Sequence, residues 1–149
     1  MVEFMLAKEY VNGMKSPRGL VNYKPPIGWL LSEKYDGYRA RWLPDQRVFL
    51  SRNGKVYNAP EWFKDSMPNE FLDGELFAGR EHFQSMGVVR KKTPVDQEWL
   101  PIKYVVYDLP EYDIPFEERI QKLESIVSES KDVWDISKSE LPTFLCGTE

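Results

Sequence analysis

Glu33-Lys34-Tyr35-Asp36-Gly37-Tyr38-Arg39-Ala40-Arg41 is the stretch around which the rest of the chain is organised. In an extended backbone, side chains two residues apart share a face. Lys34 and Asp36 therefore point the same way, and so do Arg39 and Arg41 on the following strand. Gly37 permits a tight turn or a close approach of a ligand to the backbone. A lysine attacks only as the neutral amine, and a free lysine titrates near ~10.4. Neighbouring cations and desolvation lower that value. The pattern suits a nucleophilic amine held beside a polyphosphate. Lys-x-Asp-Gly also occurs in ordinary surface turns, so these positions need support from the rest of the chain.

Outward from this stretch the periodicity is that of an antiparallel meander. Trp29 to Lys34 runs from apolar to polar, as in a strand leaving a core and delivering its last residues to a cleft. Tyr38, Ala40 and Trp42 alternate with Arg39 and Arg41. Leu43-Pro44-Asp45-Gln46 is a turn. Arg47 to Arg52 reads as the next strand, Asn53-Gly54 as a type I′ hairpin turn, and Lys55-Val56-Tyr57 as a third strand. Pro60 opens a short helix over residues 61–65 and Pro68 closes the segment. Phe71 to Phe77 alternates again, with Asp73 and Glu75 on one face and Leu72 and Leu76 on the other. Gly74 weakens this strand and marks a site where something packs close.

Gly79 to Phe83 begins an expected helix that ends at Arg90-Lys91-Lys92. Pro94 and the acids after it read as a loop. Pro101 to Asp108 is β-branched and aromatic, the strongest strand of the chain. A helix follows from Pro115, with Phe116, Ile120, Leu123 and Val127 at helical spacing. The tail from Lys131 is ambiguous, with Pro142 to Cys146 a candidate final strand. Residues 1–28 read as loop-rich, apart from a short element at Leu6 to Tyr10.

Composition narrows the setting. The 149 residues, 42% of them hydrophobic and 14% aromatic, suffice for one globular domain or part of a larger one. The lone Cys146 closes no internal disulfide, and no Cys/His cluster suits zinc, which fits a reducing, intracellular compartment. No apolar run reaches membrane-spanning length, so no membrane partner is expected. A net charge of −4 supplies no global basic field, though a local basic face remains open.

Four features occur in order: Glu33-Lys34-Tyr35-Asp36-Gly37-Tyr38-Arg39, Ser51-Arg52-Asn53-Gly54, Leu72-Asp73-Gly74-Glu75-Leu76, and Tyr104-Val105-Val106-Tyr107-Asp108-Leu109-Pro110. Together they resemble the nucleotide-binding motifs of ATP-dependent DNA ligases, within the covalent nucleotidyltransferases that include RNA ligases and mRNA capping enzymes. The resemblance covers about residues 29–128 and is strongest to the small ligases of bacteria and viruses. It implies an α+β fold of mostly antiparallel sheets with flanking helices, the nucleotidyltransferase (adenylation) domain.

The same resemblance implies roles. Lys34 would attack the α-phosphate of ATP, expel pyrophosphate and carry AMP as a phosphoramide. Arg39 and Arg52 would face the ribose and phosphates, or the DNA 5′-phosphate. Glu75 would bind the ribose hydroxyl and help organise Mg²⁺. Tyr107 would stack on the adenine, with Ser32 and Glu33 near the adenine edge. The expected partner is nicked double-stranded DNA.

Two family motifs, a Glu-Gly strand and a Lys-x-Lys pair, do not follow Tyr107, and no C-terminal oligonucleotide-binding barrel is expected. Residues 1–149 are thus expected to form a partial adenylation domain. It would be completed by a missing C-terminal part or a second polypeptide, or be a remnant that binds nucleotide without turnover. RNA ligase and capping guanylyltransferase are the neighbouring alternatives.

Plainer readings apply to single residues. Arg41 and Arg52 also fit solvated strand arginines. Tyr107 fits a core position. Asp73 and Glu75 fit a glycosidase acid pair, although the lysine and arginines would then have no task. His82 reads as an exposed or capping residue. Arg90-Lys91-Lys92 fits either a solvated face or a track for DNA phosphates.

Overall fold

A computed structural model describes residues 31–79, 83–127, 134–136 and 139–140. They fall in two compact units, Glu33–Lys138 and a smaller one made of Met1–Ser32 with Ser139–Glu149. In the smaller unit, β1 (Leu31–Ser32) pairs antiparallel with a strand at Ser139–Glu140, setting Ser32 opposite Ser139.

The larger unit is built on a six-stranded sheet. Its strands in chain order are β2 (Tyr38–Leu43), β3 (Val48–Ser51), β4 (Val56–Tyr57), β5 (Leu72–Phe77), β6 (Lys103–Asp108) and β7 (Trp134–Ile136), and the Ser139–Glu140 strand is β8. The spatial order is β4-β3-β2-β5-β6-β7. Every pairing is antiparallel except β6 with β7, which is parallel. Parallel neighbours need a crossover. It is supplied by a helix at Phe116–Val127, whose Leu123 is fully buried. The expected mostly antiparallel α+β architecture is present.

The alternation in β2 sets the layers. Ala40 and Trp42 are buried with Leu72 and Leu76 from β5 and Tyr104 and Val106 from β6. Phe49 sits centrally, its ring 4.9 Å from those of Trp42 and Tyr104 and 5.8 Å from Phe63. Phe63 comes from α1 (Glu61–Asp65) and meets Trp99 at 5.0 Å. The Tyr104 hydroxyl lies 2.8 Å from the Ala40 carbonyl and 3.2 Å from that of Leu72, so its proton is satisfied in the middle of the core. Burial raises the pKa of this phenol well above its ordinary value, and it stays a neutral donor.

Several local expectations are corrected. At the Asn53-Gly54 hairpin only Gly54 has a positive φ, 80°. A type I′ turn needs both central residues there. Instead, Gly54 N–H donates to Ser51 O, and Ser51 N–H donates to Lys55 O. Arg52 and Asn53 thereby become exposed turn residues, not the end of a strand. Arg47 does not begin β3. It is left-handed at φ 54°, with its guanidinium on Glu61 and Asp65.

The helix expected before the basic run is a 3-10 helix at Phe83–Arg90. Met86 and Val89, three apart, are both buried, which matches a three-residue turn. The acids after Pro94 form α2 (Asp96–Trp99), anchored by buried Trp99, and Phe116–Val127 is α3. Strands β7 and β8 had no clear signal in the sequence. Leu6–Tyr10, Trp29, His82 and the candidate strand at residues 142–146 lie outside the described residues.

Gly74 explains itself through packing. A Cβ there would overlap the Val105 carbonyl oxygen and stand 2.9 Å from Val106 Cα. The close neighbour expected from the sequence is the backbone of β6. Gly74→Ala should lower stability by about 1–3 kcal/mol. Tyr104→Phe, which strips two buried carbonyls of their donor, should cost about 1–3 kcal/mol. Chemical denaturation of each variant checks both values.

Candidate nucleotide site

The site is assembled by the register of β2 on β5. Arg39 stands opposite Glu75, and Arg41 opposite Asp73. From there the Arg39 guanidinium reaches diagonally to Asp73, with Nε 3.2 Å from Oδ1 and Nη2 2.6 Å from Oδ2. The Asp73 side chain is 1% exposed and that of Arg39 14%. Burial works against the charge on Arg39. The hydrogen bond and charge of Asp73 outweigh it, and the pKa stays above its ordinary value. The pair is a rigid, charged fixture rather than a mobile surface arginine.

Tyr107 is brought to this fixture by an irregularity. Asp73 pairs with Asp108, but Gly74 pairs with Val106, so Tyr107 is the extra residue of a β-bulge. A bulge re-aims a side chain. The Arg39 Cζ lies 5.6 Å from the centre of the Tyr107 ring. Burial, then the Asp73 carboxylate, push the Tyr107 phenol up in pKa, so the ring presents a neutral face. The half-buried ring is not part of the apolar core cluster. Asp108, next along, is neutralised by Arg119, with Nε 2.7 Å from Oδ1, which fixes the strand end beyond the bulge.

Glu75 closes the third side. Its Oε2 accepts the Gly37 N–H at 2.9 Å, tying the loop after Lys34 to β5. A Cβ on Gly37 would overlap the Leu76 carbonyl oxygen. The close approach foreseen at Gly37 is therefore made by the chain's own β5. Burial raises the Glu75 pKa, the Gly37 N–H and Arg39 lower it, and the negative charges of Asp36 and Asp73 raise it again. Among the described residues no group of three or more His, Cys, Asp or Glu could hold a metal alone. Mg²⁺ uses one or two carboxylates plus phosphate oxygens. Glu75, a single carboxylate beside this group, suits such a shared ion and does not suit a closed protein cage.

Next to this group opens a cavity of about 490 Å³, at the start of β2 and the end of β3. Its walls include Arg39, Arg52, Lys55 and Arg90, with Tyr38 and Tyr57, and no carboxylate lines it among the described residues. Of the residues singled out for a site, Arg39, Glu75 and Tyr107 come together, and Arg52 joins Arg39 in the cavity wall. Lys34 and Glu33 lie exposed on the loop leading to β2, outside the cavity wall. Ser32 belongs to the smaller unit. Asp73 acts as the clamp on Arg39, and the alternation of β5 had already set it beside Glu75. Lys55, Tyr57 and Tyr38 went unrecognised as lining. Arg90 was visible only as one member of a basic triplet, and its neighbour Lys91 is engaged by Glu98 at 2.8 Å.

Comparison with known proteins gives a consistent answer. The family described as "ATP dependent DNA ligase domain" matches residues 5–142. A DNA ligase of Haemophilus influenzae is 36% identical over 104 residues, covering 70% of this chain and 38% of that protein. A DNA ligase of Methanobrevibacter smithii is 31% identical over 147 residues, covering 79% of this chain and 27% of that protein. The chain thus spans well under half the length of either relative. A solved structure from a structure-function analysis of Lig E DNA ligases superposes with a TM-score of 0.67 at 24% identity. It covers 76% of this chain and 44% of that one, and supports the fold. With the four motifs placed on one sheet and its connecting loops, this chain belongs to the ATP-dependent DNA ligase domain family.

Proposed function

We propose that the chain is the adenylation part of a DNA ligase that seals nicks between a 5′-phosphate and a 3′-hydroxyl. The observation that carries this reading is the convergence of Arg39, Glu75 and the bulged Tyr107 on one side of the sheet, with Gly37 binding the Lys34 loop to Glu75. A carboxylate, a fixed guanidinium and an aromatic face supply what a purine nucleoside polyphosphate needs. Phosphoryl transfer depends on alignment and charge neutralisation more than on a strong base.

The neutral Lys34 amine would attack the α-phosphorus of ATP. A P–N bond forms, the bond to the β-phosphate oxygen breaks, pyrophosphate leaves, and the ammonium proton passes to solvent. AMP then moves to the DNA 5′-phosphate, and the 3′-hydroxyl displaces it to form the phosphodiester. Glu75 would orient the ribose hydroxyl, Tyr107 the adenine, and Arg39 and Arg52 the phosphates. Glu33 would border the adenine. A divalent cation such as Mg²⁺ at Glu75 would offset charge on the phosphates. The whole ligase would need segments beyond those seen here to close on nicked duplex DNA.

Incubation with ATP labelled at the α-phosphate should give an acid-labile AMP adduct on the wild type and none on Lys34→Ala, with mass spectrometry locating the adduct. An adduct persisting in Lys34→Ala would refute the role of Lys34. Label from GTP and not ATP would favour a capping-type activity.

Tyr107→Ala should weaken nucleotide binding by about 1–3 kcal/mol, the range for loss of an aromatic platform under a base, while Tyr107→Phe retains it. Equilibrium binding of ATP reads the difference.

Burial lifts the Glu75 pKa above its ordinary value, so the folded state holds this proton more tightly than the unfolded chain. Its contribution to stability is full below the ordinary value and is lost as pH rises through the folded value. Glu75→Gln should therefore gain stability relative to wild type as pH goes from about 4 to about 7. The same variant should form less AMP adduct. Denaturation curves across that range test the first outcome.

A further inference from the structure

Arg90 is placed unlike the rest of its basic triplet. Lys91 is occupied by Glu98, and Lys92 is exposed. Arg90, the last residue of the 3-10 helix, lays its guanidinium over the Tyr38 ring, Cζ 4.7 Å from the centroid. Tyr38 in turn lies 6.1 Å from Tyr57, centroid to centroid. Burial raises the Tyr57 pKa, and the Arg90 charge pulls it back. A guanidinium resting on an aromatic face keeps its N–H edge available for an anion.

Arg90 belongs to the wall of the cavity that also presents Arg39, Arg52 and Lys55. Asp73 already neutralises Arg39. Among the described residues, no carboxylate pairs with Arg52, Lys55 or Arg90. Three cations around one cavity, none paired with a carboxylate among the described residues, suit a multiply charged anion. Glu75, Tyr107 and Lys34 are absent from the wall, so the cavity lies beside those residues.

We propose that Arg90, held on Tyr38, is a phosphate-binding residue that recognises a terminal phosphate in this cavity together with Arg52 and Lys55. The proposal rests on the ligase reading for its source of phosphate, which is the 5′-end at a nick or the tail of ATP. A phosphate monoester carries a second charge and a third free oxygen that an internal phosphodiester lacks. A rigid Arg90 therefore gives selectivity for ends, whereas a mobile lysine would give only general attraction to DNA.

The test is equilibrium binding of the protein to two nicked duplexes, identical except for 5′-phosphate or 5′-hydroxyl at the nick, with ATP binding measured in parallel. The wild type should prefer the 5′-phosphate. Arg90→Ala should cut that preference by about tenfold, as expected for one charge-assisted phosphate contact. Arg90→Lys should recover only part of it, and Lys91→Ala should leave the ratio as it is. A selective loss for the 5′-phosphate duplex assigns the strand end, and a selective loss for ATP assigns the triphosphate tail. Equal weakening on both duplexes with ATP binding intact, or no change at all, overturns the proposal. Because binding needs no turnover, a missing AMP adduct in the wild type would count against the ligase reading alone.

Discussion

The buried ion pair between Arg39 and Asp73 is the constraint from which the rest of the site follows. A carboxylate almost wholly removed from water needs a partner of opposite charge with matched geometry. Asp73 finds it across the β2–β5 pairing, in two near-parallel hydrogen bonds. The pairing fixes the register, since a one-residue slip would turn Arg39 into the core and leave Asp73 buried without a counter-ion. With the register fixed, Glu75 stands opposite Arg39, and the loop after Lys34 is drawn to Glu75 through Gly37. The Gly37–Glu75 hydrogen bond thus ties the loop after Lys34 to the strand that also carries Asp73.

The other side of β5 is held by a different force. Gly74 leaves room for the β6 backbone, and immediately beside it the pairing gives up one residue to Tyr107. Sheet strands normally alternate without such a break. Here the break lifts an aromatic ring out of the alternation and sets it by Arg39. The buried hydroxyl of Tyr104 spans β2 and β5 from below, and Asp108 with Arg119 secures the strand end. An apolar layer under the sheet and a charged, aromatic layer above it share the same three strands.

Much of this was legible in the sequence because it depends on period two. Alternation gave the buried face of β2 and β5, and the Asp-Gly-Glu pattern set both acids on the other face. The short spacing of helical apolar residues after Pro115 gave α3. What stayed hidden depends on partners far away in the chain. The bulge at Tyr107 needs the β5 register, which no local pattern carries. The type of the turn at Arg52 is not legible, because Asn-Gly fits both a type I′ turn and the observed turn with a single left-handed glycine. The 3-10 form of residues 83–90 follows from Met86 and Val89 meeting the core three residues apart, a spacing an α-helix also uses. Arg90 on Tyr38 joins a helix to a strand about fifty residues earlier, beyond the reach of any motif.

The central claim is that a single sheet face, keyed by Arg39 and Asp73, holds one adenine nucleotide with its α-phosphate toward Lys34. A crystal structure with bound ATP analogue or with AMP tests it most directly. The expected result is the adenine on the Tyr107 ring, a ribose hydroxyl on Glu75, phosphates toward Arg39 and Arg52, and the α-phosphorus within bonding reach of the Lys34 amine. Nucleotide seated away from β5 and β6, or ordered on that face with Lys34 turned from the phosphates, would contradict it.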